Sequence, residues 1–183
     1  MAIAVQRTGH GLPVRILNSR PDIDTEDVVR RLSAALDLVA AYAPGVYRRL
    51  PLDLAGFVVE RFACRGAFFP DTRLCLVELT FTVNPAHGLP EIAASIVHEA
   101  THARVAAWCG TTPPEARARE ERLCRRAELA FGLAVPDGAV VTARARASLD
   151  LDAAGVAPRV DWAEAARRVA AVDAAARRPG HVG

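Results

Sequence analysis

His98 and His102 stand four residues apart in the stretch SIVHEATHARV, residues 95–105. On a helix that spacing puts both imidazoles on one face, one turn apart, where they can reach a single ion. Zinc held by two histidines still needs a third protein ligand and an open position for water. Glu99 follows the first histidine directly, so it points to a neighbouring face, near the ion without being on it. A general base must stand there to take a proton from water that the metal activates. The expected cofactor is therefore one Zn2+ ion, with His98 and His102 as ligands and Glu99 as the catalytic residue. The competing reading is a buried helix with a hydrogen-bonded pair of core histidines.

The elements around the motif bear on that choice. A helix is expected from about Pro90 to Cys109, closed by Gly110. Ile92, Ile96, Ala100, Ala103 and Ala107 form one apolar stripe, while His98 and His102 stand opposite with Ser95, Val105 and Cys109. Apolar groups on nearly all sides mark the helix as buried, so its imidazoles need partners inside the protein. Before it, PVRILN (13–18) reads as a strand, and Asp24 as the N-cap of a helix with Val28, Leu32, Ala35, Leu36, Val39 and Ala43 at helical spacing. Residues 54–62 and 73–83 read as strands separated by the turn-like RGAFFPDT. In the second, Cys75, Val77, Leu79, Phe81 and Val83 alternate with Leu74, Leu76, Glu78, Thr80 and Thr82, which predicts one core face and one partly polar face. After the motif, Pro113-Pro114 starts a helix running to about Phe131. Further helices are expected around 139–149 and 161–177, the last placing its alanines in the core, with a frayed RRPGHVG behind it. The fold class is α+β: a small, mostly antiparallel sheet packed against a helical half. One domain, 1–183, divides into a helix and small sheet (1–89), the metal-site helices (90–132) and the C-terminal helices (133–183).

HEATH on a helix after a strand, followed by a helix bearing glutamates, resembles the zincin metallopeptidases, specifically the gluzincin branch. The likeness covers roughly residues 73–131, and HEATHARV is also similar to a segment of small bacterial proteins. Ile96, Ala100, Thr101 and Ala103 supply the uncharged residues of the extended zincin pattern, whereas Arg104 stands where that pattern favours a hydrophobic one. The metzincin branch needs a third histidine soon after the second; here none occurs between His102 and His181. The resemblance implies a minimal zincin-like metallopeptidase fold and a glutamate ligand about twenty residues after His102. Glu120 and Glu121 both fit. Glu120 falls within the stripe Ala116, Leu123, Cys124, Ala127 and Phe131, while Glu121 borders it with Arg125 and Glu128, on the side that suits histidines standing off their own core stripe. Glu121 is favoured, with Glu120 as the alternative. Glu128, with Arg125 beside it, is the candidate to orient a histidine through its free N–H.

The composition narrows the rest. A chain of 183 residues, 51% hydrophobic and 24% charged, is a single globular domain by length and balance. Its four cysteines lack any CxxC pair, which points to reduced thiols rather than a ribbon zinc site or a disulfide framework. No apolar signal core and no span of about eighteen apolar residues occurs, so a cytoplasmic protein with no membrane partner is expected. All the basic residues are arginine, as in a GC-rich coding bias, and net charge is only +2. The arginines at 117–126 and 144–146 interleave with Glu115, Glu120, Glu121 and Glu128, a solvated-face pattern that argues against a nucleic-acid partner. The favoured function is a zinc hydrolase cutting a peptide or protein substrate. Its oxyanion donor is open among Tyr42, Tyr47, His10, His87 and the arginines. The alternative is a zincin-fold, zinc-binding regulatory or interaction module without proteolytic activity. A closed structural zinc site would need Cys109 or Cys124, and Cys109 lies two turns, about 10.5 Å, beyond His102.

Overall fold

The computed structural model describes residues 3–176. Strands β1 (Ile3–Gly9) and β2 (Leu12–Asn18) open it as a hairpin. His10 and Gly11 turn the chain with φ of 54° and 78°, the left-handed backbone that a two-residue turn between right-twisted strands requires. Helices α1 (Thr25–Tyr42), α2 (Pro44–Tyr47) and α3 (Leu50–Asp53) follow, then β3 (Gly56–Glu60), β4 (Gly66–Phe69), β5 (Leu74–Glu78) and the short α4 (Leu79–Val83). The helical half comprises α5 (Leu89–Cys109), a 3-10 turn at Pro114–Ala116, α6 (Arg117–Ala134), α7 (Ala139–Leu149), α8 (Ala153–Val156) and α9 (Trp162–Ala176). The fold is α+β, as the pattern of elements implies.

The strands form one sheet in the order β1-β2-β3-β5-β4. Its two outer pairs are antiparallel, but β2–β3 and β3–β5 are parallel, so the sheet is mixed rather than mostly antiparallel. The physical reason lies in the central strands. Phe57, Val58 and Val59 in β3, and Cys75, Leu76 and Val77 in β5, are all buried, the sign of strands covered on both faces. The alternation read from Arg73 onwards had Leu74 and Leu76 on its supposed polar face, and these apolar residues carried the parallel signal. A parallel neighbour needs a crossover, and α1 supplies it between β2 and β3.

Three boundaries also differ. The strand expected to reach Val83 stops at Glu78, whose carboxylate accepts hydrogen bonds from the Phe81 N–H (2.6 Å) and the Thr80 hydroxyl (2.7 Å). That cap starts the helical turn of α4. The turn-like RGAFFPDT contains β4, whose pairing runs from Gly66 opposite Val77 to Phe69 opposite Leu74. β1 was not anticipated at all.

Asp24 caps α1 by accepting the Glu26 N–H, and Val28, Leu32, Ala35, Leu36 and Val39 are buried as their spacing predicts. They join Ile92, Ile96, Ala100 and Ala103 of α5 and Val14, Ile16, Phe57, Val59, Cys75 and Val77 of the sheet in one core cluster. Each large aliphatic side chain fully buried there contributes roughly 1.5–3 kcal/mol.

The last helix departs from expectation. Its alanines are largely exposed, and Asp173 is its one buried residue among those described. Asp173 pairs with Arg61 Nε at 3.0 Å and Arg20 Nη1 at 3.3 Å, while Arg61 also contacts Glu78. At the other end, the Trp162 ring lies 5.6 Å from that of Phe62. Between these anchors a groove of about 820 Å³ separates Ala166, Val169 and Ala170 from Phe62, Phe68 and Phe69. The segment expected to fray, 177–183, lies outside the described residues. No helix among the described residues is long and apolar enough to cross a membrane.

If Asp173 is the anchor, Asp173→Ala should speed amide hydrogen exchange across 162–176 while leaving α5 unchanged, as read by mass spectrometry. Equal protection of α9 in both proteins would remove the anchoring role.

Candidate metal centre

α5 begins where Gly88-Leu89-Pro90 breaks the preceding loop, and the Gly88 N–H donates to the Glu91 carboxylate at 3.1 Å. Every residue from Glu91 to Ala100 is buried, so the helix has no solvent side along its first half. The apolar stripe meets α1 and the sheet. The histidine side meets α6, whose buried residues include Cys124, Glu128 and Phe131. Leu123, expected in the α6 stripe, is 41% exposed. The face that α6 turns to α5 is instead built from Glu121, Cys124, Arg125 and Glu128, beside the histidines.

The Nε2 atoms of His98 and His102 lie 3.1 Å apart. Glu121 joins them, with Oε2 3.3 Å from His98 Nε2 and Oε1 3.5 Å from His102 Nε2. Behind each ring stands another carboxylate. His102 Nδ1 is hydrogen-bonded to Glu120 Oε1 at 2.6 Å. His98 Nδ1 lies 3.1 Å from Glu128 Oε1 but off the line of a well-formed bond. Glu128 is gripped in turn by Arg125 Nη1 at 3.0 Å, with Arg144 Nη2 at 3.7 Å. Cys124, one turn after Glu121, completes a group with His98 and His102 whose donor atoms lie within 4.8 Å of one another and could hold a metal ion. Cys109, the other cysteine on the histidine side, is exposed.

The chemistry of this donor set follows from where the protons sit. An ionised carboxylate only accepts, so the 2.6 Å contact with Glu120 places the N–H of a neutral His102 at Nδ1, and Glu128 beside His98 Nδ1 favours the same tautomer there. In the neutral imidazole Nε2 then carries a lone pair. Two lone pairs and the Glu121 carboxylate thus converge on one small volume, an arrangement of acceptors that only a cation or added protons make favourable. Protonation energetics agree. Burial works to lower the pKa of both histidines, but Glu121 and Glu128 reverse this at His98, and Cys124, Glu120 and Glu121 reverse it at His102, so both are raised. Burial works against ionisation of Glu120, Glu121 and Glu128 too, and the histidines override it, holding all three below the usual carboxylate range. Burial pushes the Cys124 thiol up to about 11, with His102 opposing it.

Glu99 is largely buried at the cavity wall, and burial raises its pKa despite the nearby histidines. It faces β4, the edge of the sheet. A Cβ placed on Gly66 would come within 2.7 Å of Ser95 Oγ and 3.0 Å of Glu99 Oε1, so the absence of a side chain there is what lets the strand lie against the helix. Glu99, both histidines and the α6 glutamates line one open cavity of about 560 Å³, closed on its far side by Arg144 of α7 and the 156–162 segment.

The candidate oxyanion donors separate cleanly. Tyr42 is exposed, Tyr47 and His10 bond each other, and His87 is taken by Glu91, whereas Arg65, Arg117, Arg125 and Arg144 line the cavity. Arg104 sits away from the site, 4.0 Å from the centre of the Trp108 ring and 4.0 Å from Asp53 Oδ1, which explains a charge where the zincin pattern favours an apolar residue. Arg144 and the role of β4 were not foreseen; Gly66 next to paired aromatics in RGAFFPDT was the available signal for the strand. Compared with protein-family models, curated proteins and solved structures, the chain finds no match.

Gly66→Ala should destabilise the protein by about 1–3 kcal/mol in urea denaturation, with part of the loss recovered when Ser95→Ala is added. Strictly additive effects would mean that the strand does not press on Ser95.

Proposed function

We propose that the protein is a zinc-dependent metallohydrolase, a peptidase in which His98, His102 and Glu121 hold one Zn2+ ion and Glu99 is the general base. The observation that carries this reading is the meeting of three acceptors, two Nε2 atoms and the Glu121 carboxylate, at the wall of an open cavity. The donor set fits zinc, which takes imidazole nitrogen and carboxylate oxygen readily and leaves a position free. When bound, zinc supplies Lewis acidity towards a water and a carbonyl oxygen.

The chain's own residues supply the rest. Glu120 holds the His102 ring through Nδ1, and Glu128 stands 3.1 Å from Nδ1 of His98, so each carboxylate favours an Nε2 lone pair turned to the ion. Glu99 accepts a proton from the attacking water on its carboxylate and returns it to the leaving amine nitrogen. Its buried position suits that task, because desolvation makes the carboxylate a stronger base. β4, as the sheet edge beside the cavity, offers backbone groups to an extended peptide substrate. The free thiols of Cys64, Cys75, Cys109 and Cys124 suit a reducing compartment such as the cytoplasm.

One observation favours the alternative, a zinc-binding module without turnover. Cys124 stands close enough to serve as a further ligand, which would close the coordination shell. Cobalt substitution separates the two. A thiolate-to-cobalt absorption band lost in Cys124→Ser means a closed site, and its absence in the parent supports the hydrolase.

Purified protein should bind close to one equivalent of zinc, and His98→Ala far less. Glu99→Gln should keep the metal and lose peptide hydrolysis; turnover equal to the parent would sink the mechanism. Glu120→Gln should weaken zinc affinity by roughly 10–100-fold. Because the raised histidine pKa values mean protons occupy the metal-free site, zinc binding should release protons and weaken steadily as pH falls from above the ordinary imidazole range, measured by calorimetry in buffers of different ionisation heat.

A further inference from the structure

We propose that the cavity beside the metal centre recognises a carboxylate on its ligand, held by Arg144 with Arg65 and Arg125, and that the preferred substrate is therefore a short peptide acidic at the recognised position. As a substrate determinant this rests on the peptidase reading; as an anion site it stands on the arginines alone.

The three guanidiniums come from separate parts of the chain, the residue before β4, α6 and α7, and meet around two carboxylates. Arg65 Nη1 lies 3.5 Å from Glu91 Oε1, and Arg125 Nη1 lies 3.0 Å from Glu128. Arg144 hangs between the same two acids, 3.9 Å from Glu91 and 3.7 Å from Glu128, too far for a hydrogen bond to either. Both acids already serve other donors. Glu91 already accepts from the Gly88 N–H and from His87 Nδ1, each at 3.1 Å, and Glu128 is shared with His98. Three positive charges thus face two negative ones, and three guanidinium nitrogens, Arg125 Nε and Arg144 Nε and Nη1, are buried with no hydrogen-bond partner. Buried unpaired donors are costly, and the Arg125 and Arg144 side chains, 25% and 26% exposed, also line the cavity, where charge-assisted bonds to a planar carboxylate are the strongest partners open to a guanidinium. Within these five side chains the excess is one positive charge, which a monoanion would offset. A dianion such as phosphate would meet Glu99 and Glu128 in the same wall. Because Glu128 touches both His98 and these arginines, the carboxylate would lie one side chain away from the metal position. The carboxylate can come from a peptide C-terminus or from an acidic side chain.

Calorimetric titration with three probes tests the site: N-acetyl-dialanine as the free acid, the same peptide as its C-terminal amide, and N-acetyl-glutamyl-alanine amide. Each is titrated into metal-free protein and into zinc-loaded Glu99→Gln protein. At least one acidic probe should bind roughly tenfold or more tightly than the neutral amide, in the metal-free protein as well. Whichever acid wins identifies the source of the carboxylate. Arg144→Gln should abolish the preference while leaving zinc stoichiometry unchanged, and Arg65→Gln, on a more exposed side chain, should reduce it several-fold even if the first variant folds poorly. Equal binding of all three probes, no binding, or a preference that survives both substitutions overturns the proposal. A preference that persists in a protein unable to hold zinc would uphold the anion site and defeat the peptidase reading separately.

Discussion

Placing ionisable groups between two helices that the rest of the fold keeps out of water is the constraint on which this structure turns. An unpaired buried carboxylate or guanidinium is far more expensive than any single packing contact is favourable. The chain meets that cost by alternation: Arg125, Glu128, His98, Glu121, His102 and Glu120 run across the α5–α6 interface as donors and acceptors in turn. Each member depends on the next for its ionisation state, so the row behaves as a unit. Where acceptors crowd together, at the facing Nε2 atoms and Glu121, it asks for positive charge.

Everything else in the fold holds that row in place. α5 cannot rotate, because Ile92, Ile96, Ala100 and Ala103 are locked into the core shared with α1 and the sheet. It cannot move away from the sheet edge without opening a gap at Gly66, where backbone and Glu99 are in near contact. α6 is bound to its successors by Arg122, whose guanidinium donates to the carbonyls of Leu149 and Leu151 at 2.7 and 2.6 Å. Precision at the histidines therefore derives from groups that take no part in any chemistry.

The sequence made much of this legible because helical periodicity is a strong signal. The wheel of α5 placed the histidines opposite the stripe, while the resemblance to zincins, not the periodicity, singled out Glu120 and Glu121, which the structure brings beside those histidines. It could not divide their labour, since a one-residue difference on a helix is about 100° of rotation and the answer depends on where α6 sits against α5. In the structure the two neighbours serve one ring, Glu120 at Nδ1 and Glu121 at Nε2. The sheet was read less well. Four-residue β4 is too short to show a period, and the buried centre hides its parallel pairing behind an alternation that Leu74 and Leu76 break. Arg144 was hidden for a different reason: an arginine on a mostly exposed helix looks like solvated surface until tertiary packing turns it inward.

Seen mechanically, α9 is a beam resting on two supports. Trp162 against Phe62 and Asp173 against Arg61 hold its ends, eleven residues apart, or about 16 Å of helix. Ala166, Val169 and Ala170 face the span across the groove, so the height of the channel depends on the stiffness of hydrogen-bonded backbone and the placement of the piers. Such a span is adjusted by moving a pier, and one residue inserted between the supports would lengthen it by about 1.5 Å and swing the second bearing about 100° around the helix axis. Length and rotation are coupled there, which makes the beam intolerant of insertions and deletions.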